Sequence, residues 1–290
     1  MATTQISSFA NYSVTASDTI LPDVVMAFKK SNVMAPLVWT ATAPPGSASV
    51  TFVDMTALAS SAVDSKNETQ EQTSDAIATG AHEAVIAQYV VRADISDLAR
   101  AGSAYDLEGG VAENLGNACA LKVDSLLTSV FTGFSQTAGV AAGSPLDLDE
   151  FFEAARLLHA AGAPMPFSYV GNSKQIWGPK GIQGLIVGLG SGHLADNPVS
   201  ATMLANGYVG QLAGVNLYFS EEIAVDGNDD APAGMFSQKA IGLGVSSLGL
   251  INIETQRDAS YRHTEYVASV SCAAVEVMDT FGVYMLSDLS

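Results

Sequence analysis

The chain has 290 residues, 48% of them apolar, which is enough for a sizeable hydrophobic core and argues against global disorder. Its 30 acidic and 12 basic side chains give a formal net charge of -18, which opposes binding to a phosphate backbone and argues against a nucleic-acid reader. No apolar run approaches the roughly 20 residues of a membrane span, and the N-terminus shows no signal-peptide pattern, so we expect a cytoplasmic origin and no membrane partner. Two cysteines are too few for a disulfide framework, so we expect buried, reduced thiols at Cys119 and Cys272.

The first part of the chain predicts an arm followed by a hairpin. Residues 1–47 are rich in Ser, Thr and Ala, and the Pro-Pro-Gly of 44–46 predicts a loop over 40–49. "SVTFVDM" (49–55) predicts a strand, and "EAVIAQYVVRADI" (83–95) predicts a half-buried one. The alternation in the second strand assigns two faces: Val85, Ala87, Tyr89 and Val91 inward, and Gln88, Arg92 and Asp94 outward. The polar stretch 60–80 can bury almost nothing, so the two strands predict a long projecting hairpin, and a loop of that length points to a function.

A long helix is predicted over 104–132. Ser103 and Asp106 form a capping box at its start, and Gly133 ends it. Its apolar stripe is predicted to bury Leu107, Val111, Leu115, Ala118, Cys119, Leu126 and Val130. Such a length is well above the mean of about 11 residues for a globular protein and is typical of a structural spine.

The second half of the chain has a mixed pattern. A helix is predicted from its N-cap Asp147, with Glu150 completing a capping box and Gly162 as the stop. Its buried stripe is predicted to be Leu148, Phe151, Phe152, Ala155 and Leu158. Further elements are predicted in chain order: a core strand in 166–172, a short helix broken by Pro179, a helix capped by Asn197, a strand in 214–223, an acidic loop at 224–234, and β runs in 248–256, 264–278 and 281–288.

The chemical motifs do not predict catalysis. "GLIVGLGSGH" (184–193) has the glycines of a dinucleotide-binding loop, but the third is one residue early, so Gly188, Gly190 and Gly192 predict a flexible loop. "GVSSLG" misses the nucleophile-elbow pattern by one position, the four histidines lack metal-ligand spacing, and "DGNDD" lacks the remainder of a calcium loop. We therefore expect no enzyme activity, no cofactor and no metal.

The order of the elements resembles the major capsid proteins of tailed bacteriophages, which share the Hong Kong 97-type fold. The most similar stretch is "YVVRADISDLARAGSAYDLEGGVAENLGNACALKVDSLLTSVFTG" (89–133), where the strand leaving the hairpin leads into the spine helix. The resemblance spans nearly the whole chain and depends on element order, since no invariant motif carries it. It implies an α+β fold with four parts: an N-terminal arm (1–47), an extended loop (48–88), a peripheral domain (89–145 and 246–290) containing the spine helix, and an axial domain (146–245).

The resemblance also implies a function. A protein of this kind self-assembles into hexamers and pentamers that form the icosahedral head shell around double-stranded DNA, which it contacts without sequence specificity. It is found in the virion, after assembly in the host cytoplasm. A separate scaffolding protein, a portal and a decoration protein are the implied partners. A bacterial cargo shell of the encapsulin type is the alternative, and a nucleotide-binding enzyme using the 188–192 loop is a distant third.

The site residues implied by the resemblance lie in two regions. The hairpin tip would contact a neighbouring subunit through Asp64, Lys66, Glu68, Glu71 and Asp75. The loops near a capsomer axis would include Gly188, Gly190, Gly192, Asp226, Asp229 and Asp230. Some family members join a hairpin lysine to an asparagine of a neighbour with the help of a glutamate. Lys66 and Glu276 could correspond, but residues 253–290 contain no asparagine, so we expect a shell without covalent cross-links.

Overall fold

A computed structural model of the chain describes residues 32–55, 76–103, 107–139, 143–144, 146–177, 208–212 and 214–289. These residues form two five-stranded sheets and a two-stranded ribbon, with helices packed between and against the sheets.

The first sheet is built around β11 (His263–Glu276), which pairs with three other strands along its length. Its first part lies between β10 (Ile251–Asp258) and β4 (Ala87–Ser96), both antiparallel, and its last part pairs with β9 (Ile241–Val245). Strand β1 (Trp39–Thr42) adds to β9 in parallel. Two of the closing β runs are thereby confirmed. The loop predicted over 40–49 is wrong at 40–42, which belong to β1, because four residues are too few to show an alternating pattern.

The predicted spine helix is confirmed in large part. A short helix, α1 (Asp97–Gly102), precedes α2 (Leu107–Thr128), which continues as a 3-10 turn at Ser129–Gly133. Residues 104–106, and with them Asp106 of the predicted capping box, lie outside the described residues. The apolar side chains buried along the helix recur every four residues: Leu107, Val111, Leu115, Cys119, Val123, Leu127 and Phe131.

This four-residue repeat explains where the predicted stripe was wrong. Because a helix has 3.6 residues per turn, a repeat of four rotates the buried face gradually around the axis. The face turns from the first sheet towards the second, where the Phe131 and Phe236 rings lie 5.6 Å apart. Ala118 is therefore exposed, and Leu126 and Val130 are only half-buried.

The second sheet holds five strands in the order β12-β8-β5-β7-β6. Their bounds are Gly282–Asp288 for β12, Asp230–Ser237 for β8, Phe167–Gly171 for β5, Val215–Phe219 for β7 and Tyr208–Leu212 for β6. The predicted core strand is confirmed as β5, which is buried at every position. Strands β6 and β7 are antiparallel neighbours in the sheet.

Helix α3 (Leu148–Ala160) begins and ends as the sequence predicts. The Asp147–Glu150 capping box is present, and Gly162 follows the helix with a φ of 72°, a left-handed conformation that favours glycine. The prediction for Phe152 is wrong, because its side chain is exposed and Ala154 is buried in the stripe instead. The short helix α4 (Ser173–Trp177) is confirmed, while Pro179 and the helix capped by Asn197 lie outside the described residues.

The acidic loop predicted at 224–234 is shorter than expected. It ends at Asp229, and β8 begins at Asp230, which is 2% exposed and accepts a hydrogen bond from the Gly143 N–H at 3.0 Å. Asp230 is therefore a buried structural acceptor and not a solvated loop acid. Because Pro232 and Gly234 are typical of loops, the sequence did not predict a strand at these residues. Gly234 is needed there because a Cβ would lie 2.7 Å from the Phe131 ring.

The strand predicted over 83–95 is two strands. β3 (Thr79–Val85) ends before Ile86, and β4 begins after it. The break shifts the alternation, so that Val85 is exposed and Ala84 is buried, the reverse of the prediction. Asp94 is also buried, where we expected it to face solvent. The predicted partner of this segment is confirmed, because β2 (Ser49–Met55) pairs with β3 in an antiparallel ribbon.

Sheet membership differs from the predicted division at two strands. β9 falls within 146–245 but lies in the first sheet, and β12 falls within 246–290 but lies in the second. The chain therefore returns to the first sheet earlier than predicted, at β9, and it crosses once more to the second sheet at β12, which ties the sheets together. Where one domain ends and the other begins stays a prediction.

Three apolar clusters fill the interior: one between the first sheet and α2, one between the second sheet and α3, and one under the ribbon. Both cysteines are free and buried, as predicted, and burial raises the pKa of each thiol to about 11. Among the described residues, no helix is long and apolar enough to cross a membrane.

Candidate functional site

The ribbon of β2 and β3 is the base of the predicted hairpin. The strands pair from Ser49 opposite Val85 to Met55 opposite Thr79, at the end nearest the tip. A two-stranded ribbon is only marginally stable by itself in water. Its order in this chain depends on what lies against its two faces.

The inner face of the ribbon packs on the first sheet. The Phe52 ring, 1% exposed, meets the Trp39 ring edge to face, with centroids 5.1 Å apart. Beneath it, Gly242 of β9 leaves space that no other residue could leave, because a Cβ would lie 2.8 Å from the Phe52 ring and 2.9 Å from a Val277 methyl group. The ribbon is therefore held firmly at its base.

The outer face of the ribbon has no partner among the described residues, although it carries large apolar side chains. Val53, Met55 and Val85 are 50%, 61% and 66% exposed. Ile77, just before β3, is exposed as well. An exposed apolar patch on a soluble protein typically marks an interaction surface. This face is the strongest candidate contact surface of the described chain.

Titratable groups lie at the edge of the ribbon. His82 Nε2 is 3.5 Å from Asp54 Oδ1, and Glu276 of β11 is hydrogen-bonded to Asp279, which accepts from the Ser135 N–H at 2.7 Å. Burial raises the pKa of Glu276, and the charge and hydrogen bond of Asp279 raise it further, while neighbouring His82 acts in the opposite direction. The attachment of the ribbon is therefore apolar at its centre and titratable at its edge.

A second attachment ties the end of the arm to the spine helix. The carboxylate of Asp124, which is 1% exposed, accepts hydrogen bonds from the backbone N–H groups of Val33 at 3.0 Å and Met34 at 2.9 Å. Burial raises the pKa of Asp124 to about 6, against the opposing effect of these two donors, and Glu222 raises it further. The carboxylate holds the arm, at the expense of burying its charge.

Most of the site residues predicted from the sequence lie outside the described residues. These are the hairpin-tip group, Asp64, Lys66, Glu68, Glu71 and Asp75, and the glycines Gly188, Gly190 and Gly192. Asp226 and Asp229 are exposed in the turn before β8. Asp226 Oδ1 accepts from the N–H groups of Asn228 and Asp230, and Asp229 has a φ of 61°. Asp226 and Asp229 therefore shape an exposed turn, whereas the side chain of Asp230 is buried.

One cluster of metal-ligating residue types was not predicted. Asp94, His263 and Glu265 bring ligand atoms within 4.8 Å of one another, although no histidine pair has ligand spacing in the sequence. The strand register brings them together, because Asp94 lies opposite Glu265. The Arg92 guanidinium already bonds Asp94 at 2.8 Å and Glu265 at 2.6 Å. One guanidinium thus bonds both carboxylates, so the cluster is better described as an ion-pair network than as a cation site.

Known proteins with the same architecture are found among solved structures. No protein-family model and no curated protein matches the sequence. Solved structures do match: the capsid of the cyanophage P-SCSP1u is 15% identical with a TM-score of 0.66, and the match covers 97% of this chain and 92% of that chain. A chain of Mycobacterium phage Che8 is 16% identical with a TM-score of 0.57, covering 98% and 94%. A virus-like particle from Pyrococcus furiosus is 9% identical with a TM-score of 0.55, covering 92% and 98%.

These likenesses extend over nearly the whole of each chain. At such low sequence identity, these structural likenesses establish the fold and nothing further. The α+β fold of the Hong Kong 97-type capsid proteins, predicted from the order of the elements, is confirmed.

Proposed function

We propose that this chain is the major structural subunit of the icosahedral head shell of a tailed phage, where it self-assembles into pentamers and hexamers around double-stranded DNA. The observation that carries the proposal is the ribbon. Its inner face is fixed to the first sheet around Phe52, while its outer face presents exposed apolar side chains to whatever lies beside the subunit. Likeness to the cyanophage capsid over 97% of the chain supports the same conclusion.

The ribbon serves assembly because it combines reach with a rigid base. A closed shell of identical chains needs repeated contacts between unlike surfaces of neighbouring subunits. The hairpin tip, residues 60–80, would extend the ribbon over a neighbour and pair its charged side chains with that surface. Each exposed ion pair contributes only about 0.2–1 kcal/mol. The contact repeats at every subunit, so small contributions add up over the shell.

The axial loops would have a geometric role. Gly188, Gly190 and Gly192 permit backbone conformations that other residues resist, which would let one sequence adopt slightly different arrangements in pentamers and hexamers. Asp226 and Asp229 would lie in a neighbouring loop, whereas Asp230 belongs to the core of the second sheet. A structural role of this kind requires no catalytic group.

The proposed partners follow from the same function. A separate scaffolding protein would guide assembly, a portal would occupy one vertex, and a decoration protein is a further candidate for the outer surface. The net charge of -18 suits an inner wall that does not adhere to packaged DNA.

Electron microscopy of the purified protein tests the proposal, with a deletion of residues 62–78 as the variant. We expect closed shells from the wild-type chain, and soluble, folded subunits that fail to close from the deletion. A control replaces 62–78 with a Gly/Ser linker of equal length, which preserves the span but removes the side chains and should also fail. A wild-type chain that stays a compact monomer would contradict the shell function, and normal particles from both variants would contradict the role of the hairpin.

A cargo compartment of the encapsulin type is the second candidate, and the likeness to the Pyrococcus furiosus virus-like particle favours it. The nucleic-acid content of purified particles separates the two functions. Particles isolated from an infected host should contain long double-stranded DNA if the chain forms a phage head. Particles of uniform size that contain a co-purifying protein and no DNA would support the compartment instead.

A further inference from the structure

A cleft that is open to solvent lies between the spine helix α2 and strand β4. Its volume is about 370 Å³, within the range of about 300–1,000 Å³ that is typical of small-molecule sites. Side chains from α2, β4 and β11 line it, among them Tyr89, Val91, Ala118, Cys119, Lys122 and Val270. The cleft takes no part in the attachment of the ribbon or of the arm.

The floor of the cleft is apolar. Val270 is 1% exposed and Cys119 is 4% exposed. Burial raises the pKa of Cys119 to about 11, so its thiol is uncharged at neutral pH. Ala118, which is exposed on α2, lines the cleft with a single methyl group, and a larger side chain there would narrow it. An apolar group placed on this floor would be removed from water together with the floor itself.

Lys122 brings a positive charge to the cleft. Its Nζ lies 4.8 Å from the centroid of the Tyr89 ring, a cation–π contact between α2 and β4. Burial raises the pKa of Cys272 to about 11, and the charge of Lys122 opposes this rise. The ammonium group is therefore close enough to β11 to act on its side chains.

The charge of Lys122 is not matched by a carboxylate on its own helix. The residues three and four positions away on α2 are uncharged: Ala118, Cys119, Ser125 and Leu126. Across the ranges that the structure describes, no ion pair involves Lys122. An ammonium group has three N–H donors, so its contact with one ring leaves donors for an anion.

We propose that this cleft binds a small monocarboxylate with a short aliphatic chain. The carboxylate accepts hydrogen bonds from Lys122 Nζ, and the chain lies on the floor formed by Cys119 and Val270. Tyr89 and Val91 lie on the same face of β4, two residues and therefore about 7 Å apart. This distance suits a chain of the length of hexanoate, whereas an extended peptide of the same length would place only two residues in the cleft.

The inference goes beyond the proposed shell function and does not rest on it. A ligand that binds the folded chain stabilises it by mass action, so a bound carboxylate should raise the unfolding temperature. Because the ligand would contact both α2 and β4, the stabilisation should be local to the packing of the spine helix on the first sheet.

Isothermal titration of the full-length chain with hexanoate, acetate and hexylamine tests the proposal. Wild type should bind hexanoate. Acetate should bind far more weakly, because each buried methylene strengthens binding by about fourfold. Hexylamine should not bind, because its charge has the same sign as that of Lys122.

Three variants locate the site. K122Q should weaken hexanoate binding by about tenfold or more, because it removes a charged hydrogen-bond donor. A118L should abolish binding by filling the cleft while leaving the charge in place. The control K239Q, whose lysine is exposed in the turn after β8, makes the same change of net charge and should bind like wild type. Lys122 and Ala118 are both exposed on α2, and thermal unfolding without ligand verifies that each variant is folded.

Labelling of the thiols with a maleimide gives an independent measurement. Mass spectrometry of peptides distinguishes Cys119, which lines the cleft, from Cys272, which is 0% exposed. Hexanoate should slow the labelling of Cys119 in wild type and in K239Q, and should leave its rate unchanged in K122Q.

Four outcomes would overturn the inference, and each leaves the shell function standing. They are no binding of hexanoate by wild type, equal affinity of wild type and K122Q, equal affinity for hexanoate and acetate, and a Cys119 thiol that assembled particles protect without added ligand. The last result would mean that a protein segment occupies the cleft.

Discussion

Neutralising the buried carboxylate of the spine helix should change how stability depends on pH. In the wild-type chain the Asp124 carboxylate is buried and accepts the N–H groups of Val33 and Met34. The variant D124N keeps the shape of the side chain and removes its titration. Glu113, an exposed acid on the same helix, provides the matched control as E113Q.

The sign and size of the effect follow from the pKa. Burial raises the pKa of Asp124 from 3.8 to about 6, so the folded state binds the proton more tightly than the unfolded state does. Protonation therefore stabilises the fold, and that stabilisation is present at low pH and lost as pH rises through about 6. The full difference is about 3 kcal/mol, and the part between pH 5 and pH 8 is about 1.4 kcal/mol.

Urea unfolding followed by circular dichroism measures this difference. Working at pH 5 and above keeps the chain away from its sequence pI of about 4.3, where solubility is lowest. We expect the free energy of unfolding of wild type, relative to D124N, to fall by about 1.4 kcal/mol from pH 5 to pH 8. E113Q should follow wild type across the range.

An equal pH dependence in wild type and D124N would refute the reasoning. It would mean that the two backbone donors offset the burial of the charge completely. A relative stability of wild type that rises with pH would mean that the donors outweigh burial, which would reverse the assigned sign.

Two further predictions concern the ribbon, and a third concerns covalent links between subunits. Replacing Phe52 by alanine should destabilise the attachment of the ribbon by about 3–5 kcal/mol and speed hydrogen exchange in β2 and β3. Alanine at the exposed Val53 should leave exchange unchanged, and equal exchange in both variants would contradict the role of the inner face. E276Q should raise the unfolding temperature at pH 7, because it removes a partly buried charge beside Asp279. The gain in unfolding temperature should shrink at acidic pH, where the wild-type carboxyl is protonated, and a gain that persists at acidic pH would have another cause. Denaturing electrophoresis of mature particles should give one band near 29.9 kDa with or without reducing agent, and a ladder of multimers that survives boiling would show that Lys66 or another group forms a covalent link.

Local signals in the sequence were sufficient for several elements. The capping box and the glycine stop of α3 depend on residues close in sequence, and both are present. The long closing strands have alternation over many residues, so β11 and β12 were predictable. The pairing of β2 with β3 followed from two strands flanking one polar stretch.

Other features depend on contacts that no local pattern contains. Ile86 shifts the alternation by one residue between β3 and β4, and a shift of one exchanges the two faces of a strand, which is why Val85 was assigned inward. The cluster of Asp94 with His263 and Glu265 exists only through the register of β4 against β11. Asp230 was hidden because Pro232 and Gly234 have the composition of a loop, and only packing against Phe131 requires the glycine.

Strand β11 has a consequence for the dimensions of any assembly. Its first residue, His263, adjoins the β10–β11 turn, and its last, Glu276, lies beside the ribbon. Thirteen steps of about 3.4 Å separate these ends by roughly 44 Å. The turn and the ribbon are thus spaced by the length of one strand. An insertion of a single residue would move the turn relative to the ribbon and also reverse the faces of β11 against three partners. We therefore expect tolerated changes of length to occur in loops, and the length of β11 to stay fixed in any functional variant of this chain.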